Sequence, residues 1–457
     1  GGKEFVLDNT KVRYNAAMQF GGGGQIESNA SLVLRNESAI DHNQAVIRGG
    51  GALHMTGGAK LTLNDGTSIS NNSANGWGGA IHGSRDCTIN LIGGTMSGNA
   101  VNGRGGAINV SAGSALTLGG TTISNNTAQK GYNHKYSTVT TDFTTGTCTW
   151  TPPTGGEDSE IPAYGGGVAV DAGRCTIDGS VVSGNRAAFA GGGIALIMDS
   201  YRNTNGELIT GSIAPTLILN SGEISSNSTD GNGGGVYVMK NNDTEITTIS
   251  SATINGGSIS GNTSNADGGG IYLDDGNVTV TQGEFSGNEA KSRGGALYVN
   301  SGTVSLNKVA MNSNTATGDG GGLYLGSGTL SIGDDAGNTV KGNSAANGAG
   351  VCIANGSLSV NKCDISDNIA SNYGGGVYVM NTSSTNITLS GGGVFERNSA
   401  KAGGGLAVGG AINLSFQGSI QSNKATNGGG VYLFKGSSGT GPTLTFQGGY
   451  IRNNQAS

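Results

Sequence analysis

One phrase recurs along the whole chain: an asparagine-containing turn, then a run of two or three glycines or a Gly-Gly-Ala, then an alternating apolar strand. A clear example is Ile259-Ser-Gly-Asn262, which is followed by Gly268-Gly-Gly-Ile-Tyr-Leu273. A unit this short cannot bury its apolar face alone, so neighbouring units must stack. The turn asparagine occurs 14 times, at Asn43, Asn72, Asn99, Asn126, Asn185, Asn227, Asn262, Asn288, Asn314, Asn343, Asn368, Asn398, Asn423 and Asn454.

Most of these repeats are 25 to 31 residues long, and a single repeat contains three short apolar strands. Between Gly320 and Asn343 the strands are Leu323-Tyr-Leu325, Leu330-Ser-Ile332 and a third around Val340. This pattern predicts an all-β fold, a parallel β-helix of about 14 coils with three strands in each coil. A propeller blade would need about four strands in roughly 40 to 45 residues. Helical repeats are excluded because 89 glycines and period-two apolar runs cannot sustain α-helices.

Because the repeats run from end to end, a single domain is predicted over residues 1–457. Loop insertions are expected at residues 129–163, 199–215 and 239–252, where the period is broken. Long loops on a rigid scaffold often carry recognition, which makes Tyr136 and Trp150 candidate ligand-binding residues. Simple tolerance of insertions explains these loops equally well. The last repeat lacks the features of a polar cap, so the natural protein is expected to continue beyond it.

Composition excludes several classes of partner. Only 12% of residues are charged and the formal net charge is −6, so no basic stripe is present for a nucleic acid to follow. No apolar run approaches the roughly 20 residues of a membrane-spanning helix, so membrane insertion by this segment is not predicted. The cysteines have neither metal-site nor CxxC spacing and are expected to be buried as small apolar residues: Cys87, Cys148, Cys175, Cys352 and Cys363. A disulfide from Cys148, in the first insertion, to Cys87 or Cys175 is the alternative.

The recurring glycines and asparagines are expected to serve the fold. A glycine run permits positive φ angles and a close backbone approach at a sharp corner. The asparagine at the next corner can bond local backbone groups and stack on its counterparts in neighbouring coils as an amide ladder.

Several short motifs resemble those of a known family. The chain contains Gly50-Gly-Ala-Leu53, Gly78-Gly-Ala-Ile81, Gly105-Gly-Ala-Ile108, Gly294-Gly-Ala-Leu297, Phe285-Ser-Gly-Asn288 and Phe395-Glu-Arg-Asn398. These segments resemble the GGA(I/L/V) and FxxN repeats of the chlamydial polymorphic outer membrane proteins, although most repeats here have Ile, Met or Val in place of Phe. More broadly, the chain resembles the right-handed parallel β-helices of bacterial adhesins and autotransporter passengers. The resemblance implies a right-handed helix, an extracellular or cell-surface location, and an adhesive or scaffolding role.

A row of tyrosines is the main candidate ligand-binding site. The outward position of the strand after the glycine run holds Tyr237, Tyr272, Tyr298, Tyr324, Tyr378 and Tyr432. Because coils lie about 5 Å apart, these rings are expected to form an exposed aromatic row. Such a row can hold sugar rings or an apolar partner surface. The alternative is self-stacking that only stabilises the sheet.

Catalysis and metal binding find little support in the sequence. The acid pairs Asp274-Asp275 and Asp334-Asp335 lie in turns, whereas a glycosidase needs two acids about 5 to 10 Å apart on one face. His54 and His82 share an outward position in adjacent coils, but no carboxylate joins them. No catalytic residue, metal or cofactor is therefore predicted.

The sequence favours a non-enzymatic adhesin or stalk, whose partner is a glycan or protein on a host or neighbouring cell. Two alternatives stay open. One is a polysaccharide-active lyase or glycoside hydrolase with acids supplied by the insertions. The other is a filament whose subunits associate end to end.

Overall fold

The computed structural model describes residues 4–133, 138–142, 147–151, 159–198, 213–241, 249–333, 337–380, 385–410, 412–435 and 441–457. Within them the protein is all-β, a parallel β-solenoid of about 14 turns whose strands form three sheets. The chain divides into two compact units, Gly1–Gly231 with Asn241–Ser250 and Asn232–Lys240 with Ser251–Ser457. The interpretation as a single domain, and the right-handed sense, stay predictions.

The glycine sheet is built from the strands that follow the glycine runs. In the first unit its strands are Gly24–Ile26, Leu53–Thr56, Ile81–Ser84, Ile108–Ser111, Val168–Asp171 and Ile194–Ile197. In the second unit they are Val236–Val238, Ile271–Leu273, Leu297–Val299, Leu323–Leu325, Val351–Ile353, Val377–Val379, Leu406–Gly409 and Val431–Phe434.

The long sheet receives the next two segments of each coil. Its strands in the first unit are Glu4–Asp8, Lys11–Arg13, Ser31–Arg35, Ala39–Asp41, Lys60–Leu63, Ser68–Ser70, Thr88–Leu91, Thr95–Ser97, Ala115–Gly119, Thr122–Ser124, Arg174–Ser183 and Thr216–Ser225. Those in the second unit are Ser251–Ile254, Ser258–Ser260, Asn277–Val280, Gly283–Ser286, Thr303–Leu306, Val309–Asn312, Thr329–Ile332, Asn338–Lys341, Gly356–Val360, Cys363–Ser366, Thr385–Glu396, Asn413–Gln421 and Thr443–Arg452.

The asparagine sheet contains the short strands that follow the asparagine turns. In the first unit these are Ala16–Ala17, Gln44–Ala45, Ser73–Trp77, Ala100–Arg104, Thr127–Gln129, Arg186–Ala187 and Ser228–Thr229. In the second unit they are Thr263–Ser264, Glu289–Ala290, Thr315–Ala316, Ser344–Asn347, Ile369–Tyr373, Ser399–Ala402, Lys424–Asn427 and Gln455–Ala456. Two antiparallel pairs lie in the first insertion: Gly131–Asn133 with Ser159–Ile161, and Thr138–Asp142 with Thr147–Thr151.

A single coil confirms the three predicted strands and adds a fourth. The expected segments appear as Leu323–Leu325, Thr329–Ile332 and Asn338–Lys341, and Ser344–Asn347 then follows the asparagine turn. The second and third segments share the long sheet, and in some coils they merge into one strand, as in Arg174–Ser183. Each coil therefore contributes strands to all three sheets. The sheets enclose a core formed by the alternate, apolar residues of these strands.

The glycine runs form the corners that the sequence predicts. Each of the 14 runs has a glycine with a positive φ, between 55° and 74°, which is the first glycine of the run except at Gly50, the second of its run. A Cβ on Gly294 would lie 2.7 Å from the carbonyl oxygen of Leu297, and one on Gly295 would lie 2.2 Å from that of Gly321. The corner is thus too tight for a side chain at either position.

The asparagines form the predicted amide ladder. Asn288 donates its backbone N–H and its Nδ2 to Oδ1 of Asn314, at 2.9 and 3.0 Å. Its Nδ2 also donates to the carbonyl oxygen of Ile259, at 2.8 Å. The ladder begins one coil earlier than predicted, because Asn15 donates to Oδ1 of Asn43 in the same way. The ladder satisfies the polar groups that the tight corner buries.

The cysteines for which the structure describes side chains follow expectation. Cys87, Cys175, Cys352 and Cys363 are buried and unbridged. The side chain of Cys148 lies outside the described residues. Within the described part of the chain, no helix has the length and apolar character needed to cross a membrane.

Candidate functional site: the outer face of the glycine sheet

The predicted tyrosine row exists, and its rings stack. The sheet register aligns Tyr237 with Tyr272, Tyr272 with Tyr298, and Tyr298 with Tyr324. The corresponding ring centroids lie 5.5, 4.8 and 5.0 Å apart, with interplanar angles of 18°, 4° and 6°. The predicted spacing of about one coil is therefore confirmed.

The predicted exposure of this row is wrong. Exposed fractions are only 4% to 8% for the side chains at these positions: Tyr237, Tyr272, Tyr298, Tyr324 and Tyr378. One reason is that stacked rings cover each other's faces. Because the faces are already occupied, a sugar ring or an apolar partner cannot lie flat on this part of the row.

A second layer of side chains covers the tyrosines from one side. The residues of this layer are those that directly precede a glycine run. Arg293 shows most clearly how such a residue covers the tyrosines. Its guanidinium carbon lies 5.0 Å from the ring centroids of both Tyr298 and Tyr324, and Nη1 donates to the Tyr324 hydroxyl at 3.4 Å. Asp267 holds the guanidinium by accepting from Nε at 3.1 Å and from Nη2 at 2.9 Å. We call this layer the wall: Asn232, Asp267, Arg293, Asp319, Asn347 and Tyr373.

The wall residues are linked from coil to coil. Asn232 Oδ1 accepts from the backbone N–H of Asp267 at 3.1 Å. Asn347 Nδ2 donates to Asp319 Oδ1 at 2.7 Å. Asn347 Oδ1 accepts from the backbone N–H of Tyr373 at 3.2 Å. The wall is therefore a polar ladder lying beside an aromatic one.

The tyrosine hydroxyls stay protonated far above neutral pH. Burial raises the pKa of Tyr298 and that of Tyr378 to about 12. Burial moves the pKa of Tyr272 in the same direction. The row therefore presents neutral phenols, in keeping with a packing role.

Towards its C-terminal end the tyrosine row is interrupted, and a residue of the wall joins it. Ala407 stands between Tyr378 and Tyr432 in the register, and the wall residue Tyr373 packs against both tyrosines. The ring centroid of Tyr373 lies 5.5 Å from that of Tyr378, 6.3 Å from that of Tyr432 and 5.2 Å from that of Phe434. We call these four residues the aromatic cluster. Tyr373, Tyr432 and Phe434 are only half-buried, so the cluster keeps accessible aromatic surface.

In the first unit two neighbouring outward positions of the glycine sheet hold histidines, His54 and His82. The His54 ring stacks on Phe20 at 4.2 Å and lies 5.0 Å from the His82 ring, and His82 stacks on Trp77 at 5.6 Å. Burial lowers the pKa of His54 to about 4 and that of His82 to about 3, so both imidazoles are neutral at neutral pH. Within the described residues, Nδ1 of each ring lacks a hydrogen-bond partner.

The described residues contain no group of three or more His, Cys, Asp or Glu side chains able to hold a metal ion. The expectation that the protein needs no metal or cofactor stays a prediction. The first two coils also line an open apolar pocket of about 450 Å³, formed in part by Leu7, Val12 and Ile26 of the first coil and Leu32 of the second. End-to-end association likewise stays a prediction.

The other candidate residues divide between turns and the undescribed part of the chain. Asp274 Oδ1 accepts from Asn300 Nδ2 at 3.0 Å, and Asp275 Oδ1 accepts from the Gly276 N–H at 2.8 Å, as expected of turn residues. Asp334, Asp335, Tyr136 and the side chain of Trp150 lie outside the described residues, as does most of the insertions at 199–215 and 239–252.

Comparison with known proteins finds a similar family. The family model of the Chlamydia polymorphic membrane protein repeat matches residues 66–84. This segment contains the ladder residue Asn72, the corner Gly78-Gly-Ala80 and the strand Ile81–Ser84, and so covers one recurring phrase. Searches of the curated proteins and of the solved structures found no significant match. The match confirms the resemblance: the protein is a β-solenoid repeat protein similar to this chlamydial family.

Proposed function

We propose that this β-solenoid repeat protein is a bacterial cell-surface or secreted adhesin or stalk. It presents a binding surface to a glycan or protein on a host or neighbouring cell. The similarity to the Chlamydia polymorphic membrane protein repeat supports a surface location, by analogy with bacterial surface β-helices.

The observation that carries this proposal is the contrast between the covered row and the aromatic cluster. The ladder asparagines, the corner glycines and most tyrosines of the row are buried within the solenoid and pack against its other residues. The solenoid therefore needs no ligand to complete its packing. Tyr373, Tyr432 and Phe434 keep accessible surface on the same sheet face. Half-exposed aromatic side chains on a rigid scaffold suit recognition of sugars and apolar partner groups. Of the predicted row, Tyr432 is therefore the residue that we retain as a ligand contact.

Adhesion fits the described residues better than catalysis does. The carboxylates of Asp274 and Asp275 hold turns together, and two acids at a glycosidase separation would have to come from elsewhere. Tyr136 and Trp150, in the first insertion, remain proposed contacts alongside the aromatic cluster.

The test is binding of the purified chain to a glycan array, to bacterial and epithelial cells, and to immobilised cell-surface proteins. A Tyr432→Ala, Phe434→Ala double variant is compared with Tyr450→Ala, which removes an exposed tyrosine outside the cluster. We expect binding by the parent and by Tyr450→Ala, and about tenfold weaker binding by the double variant, or ~1.4 kcal/mol. Absence of binding to every glycan, cell and protein would overturn the adhesin.

A further inference from the structure

The outer face of the long sheet in the second unit carries two columns of short polar side chains. Five consecutive strands are in register there, starting with Ser251–Ile254 and ending with Gly356–Val360. The first column is Ser251, Asn277, Thr303, Thr329 and Ser357, and the second is Thr253, Thr279, Ser305, Ser331 and Ser359. We call these ten residues the hydroxyl array, since nine of them carry a hydroxyl and the tenth an amide.

These side chains face solvent. All ten are half-buried or exposed, whereas the residues that alternate with them, such as Val278 and Leu330, are buried in the core. Within the described part of the chain, none of the ten side chains forms a hydrogen bond. Their donors and acceptors are therefore open to a partner.

The array is also ordered. Neighbouring coils lie about 4.8 Å apart, and alternate residues of a strand lie roughly 6.6 Å apart, so the side chains form a regular grid. Ser and Thr have short side chains that lose little rotamer freedom on binding. A partner thus meets hydrogen-bonding groups that the sheet already holds in place.

The repeat does not require such a surface. At the corresponding positions of the first unit, serine, threonine and asparagine residues are interrupted by the charged Lys60 and Arg174 and by the apolar Val33, Ala115 and Ile218. Each of these is compatible with the same strand geometry. Columns free of charged and apolar residues are therefore a property of the second unit, where the register continues them through Asn386 and Thr388 to Thr443 and Thr445.

We propose that the hydroxyl array binds a linear, uncharged polysaccharide, a ligand class that rests on the adhesin function proposed above. A sugar hydroxyl both donates and accepts, and so matches serine and threonine hydroxyls in kind. A polyanion or polycation gains no charge pairing from these ten residues. A polymer lying across the five strands meets equivalent groups once per coil, so that individually weak contacts add up.

The test measures affinity for soluble xylan, β-1,3-glucan and dextran and for insoluble cellulose and chitin, with anionic polygalacturonate alongside. A Thr303→Lys, Thr329→Lys double variant places two charges in the first column. Thr117→Lys is the matched control, because Thr117 is also exposed on an outward position of the long sheet, but in the first unit. We expect the double variant to bind a neutral polysaccharide at least about tenfold more weakly than the parent, and the control to bind like the parent.

Three results would overturn this proposal while leaving the adhesin intact. They are equal affinity of the double variant and the parent, binding to polygalacturonate alone, and binding to cells or proteins without binding to any neutral polysaccharide. Failure of the parent to bind any glycan, cell or protein would overturn both proposals. A Thr303→Ser, Thr329→Ser variant, which keeps the hydroxyls, is expected to bind like the parent.

Discussion

The ring of Tyr272 lies 4.8 Å from the ring of Tyr298, with 4° between their planes. Both side chains point away from the solenoid interior, yet both are buried. The glycine sheet therefore has a second packed layer on its outer face, formed by the stacked tyrosines and the wall beside them. Part of what looks like a binding surface in the sequence belongs to the scaffold.

The corner glycines differ in how much they tolerate a side chain. Gly294→Ala would combine a positive φ with a Cβ 2.7 Å from the Leu297 carbonyl oxygen, and we expect it to lower the free energy of unfolding by roughly 3 kcal/mol. Gly287→Ala is the control, because its φ is also positive but no atom lies within 4 Å of the added Cβ. Gly287→Ala should lower the free energy of unfolding, measured in urea, by about 1 kcal/mol. Equal losses for the two variants would refute the crowding argument.

The amide ladder should be costly to interrupt. Asn314→Ala removes the Oδ1 that accepts two bonds from Asn288 and the Nδ2 that donates to Asn343 and to the Phe285 carbonyl oxygen. We expect a loss of roughly 3 kcal/mol in unfolding free energy, because buried donors are left without acceptors. Asn427→Ala, at an exposed position, should stay within about 0.5 kcal/mol of the parent. A ladder variant as stable as this control would show that the amides contribute little.

Acidification should destabilise the first unit through its buried histidines. An unfolded histidine takes up a proton near pH 6.5, whereas His54 and His82 have folded pKa values of about 4 and about 3. Between pH 6.5 and these folded pKa values, the unfolded chain binds more protons than the folded protein does. The free energy of unfolding therefore keeps its full value above pH 6.5 and decreases as the pH falls below it. The loss approaches ~1.4 kcal/mol per pH unit for each histidine.

Urea unfolding of the parent and of a His54→Asn, His82→Asn variant from pH 7 to pH 4.5 checks this linkage. Asparagine suits these positions because Asn109 occupies the next one in the register. The variant should lose most of the pH dependence. If parent and variant lose stability in parallel, other groups govern the acid response.

Periodicity made most of the fold predictable. A regular interval fixes which residues meet across coils, so the amide ladder, the glycine corners and the stacking of Tyr272 on Tyr298 all follow from it. Asn15 was not predicted because the two residues before it, Arg13 and Tyr14, differ from those of most other turns. Tyr14 nevertheless has the positive φ of these turns, 58°.

Exposure could not be predicted in the same way. Alternation along a strand predicts whether a side chain points inward or outward, but it does not predict which other residues cover that side chain. The cover comes from Arg293, whose position directly before Gly294 is visible in the sequence but whose direction is set by Asp267 in the adjacent coil. The aromatic cluster was missed for a similar reason, since Tyr373 belongs to a different strand from Tyr378 and meets it only across the corner.

The most direct test of the central claim is to measure urea unfolding and glycan binding together for Tyr298→Ala and Tyr298→Phe. If the row is a packed layer, Tyr298→Ala loses roughly 3 kcal/mol of unfolding free energy and Tyr298→Phe less than about 1 kcal/mol. Both folded variants then bind ligand like the parent. Unchanged stability together with loss of binding in Tyr298→Ala would contradict this account and make the row itself the ligand site.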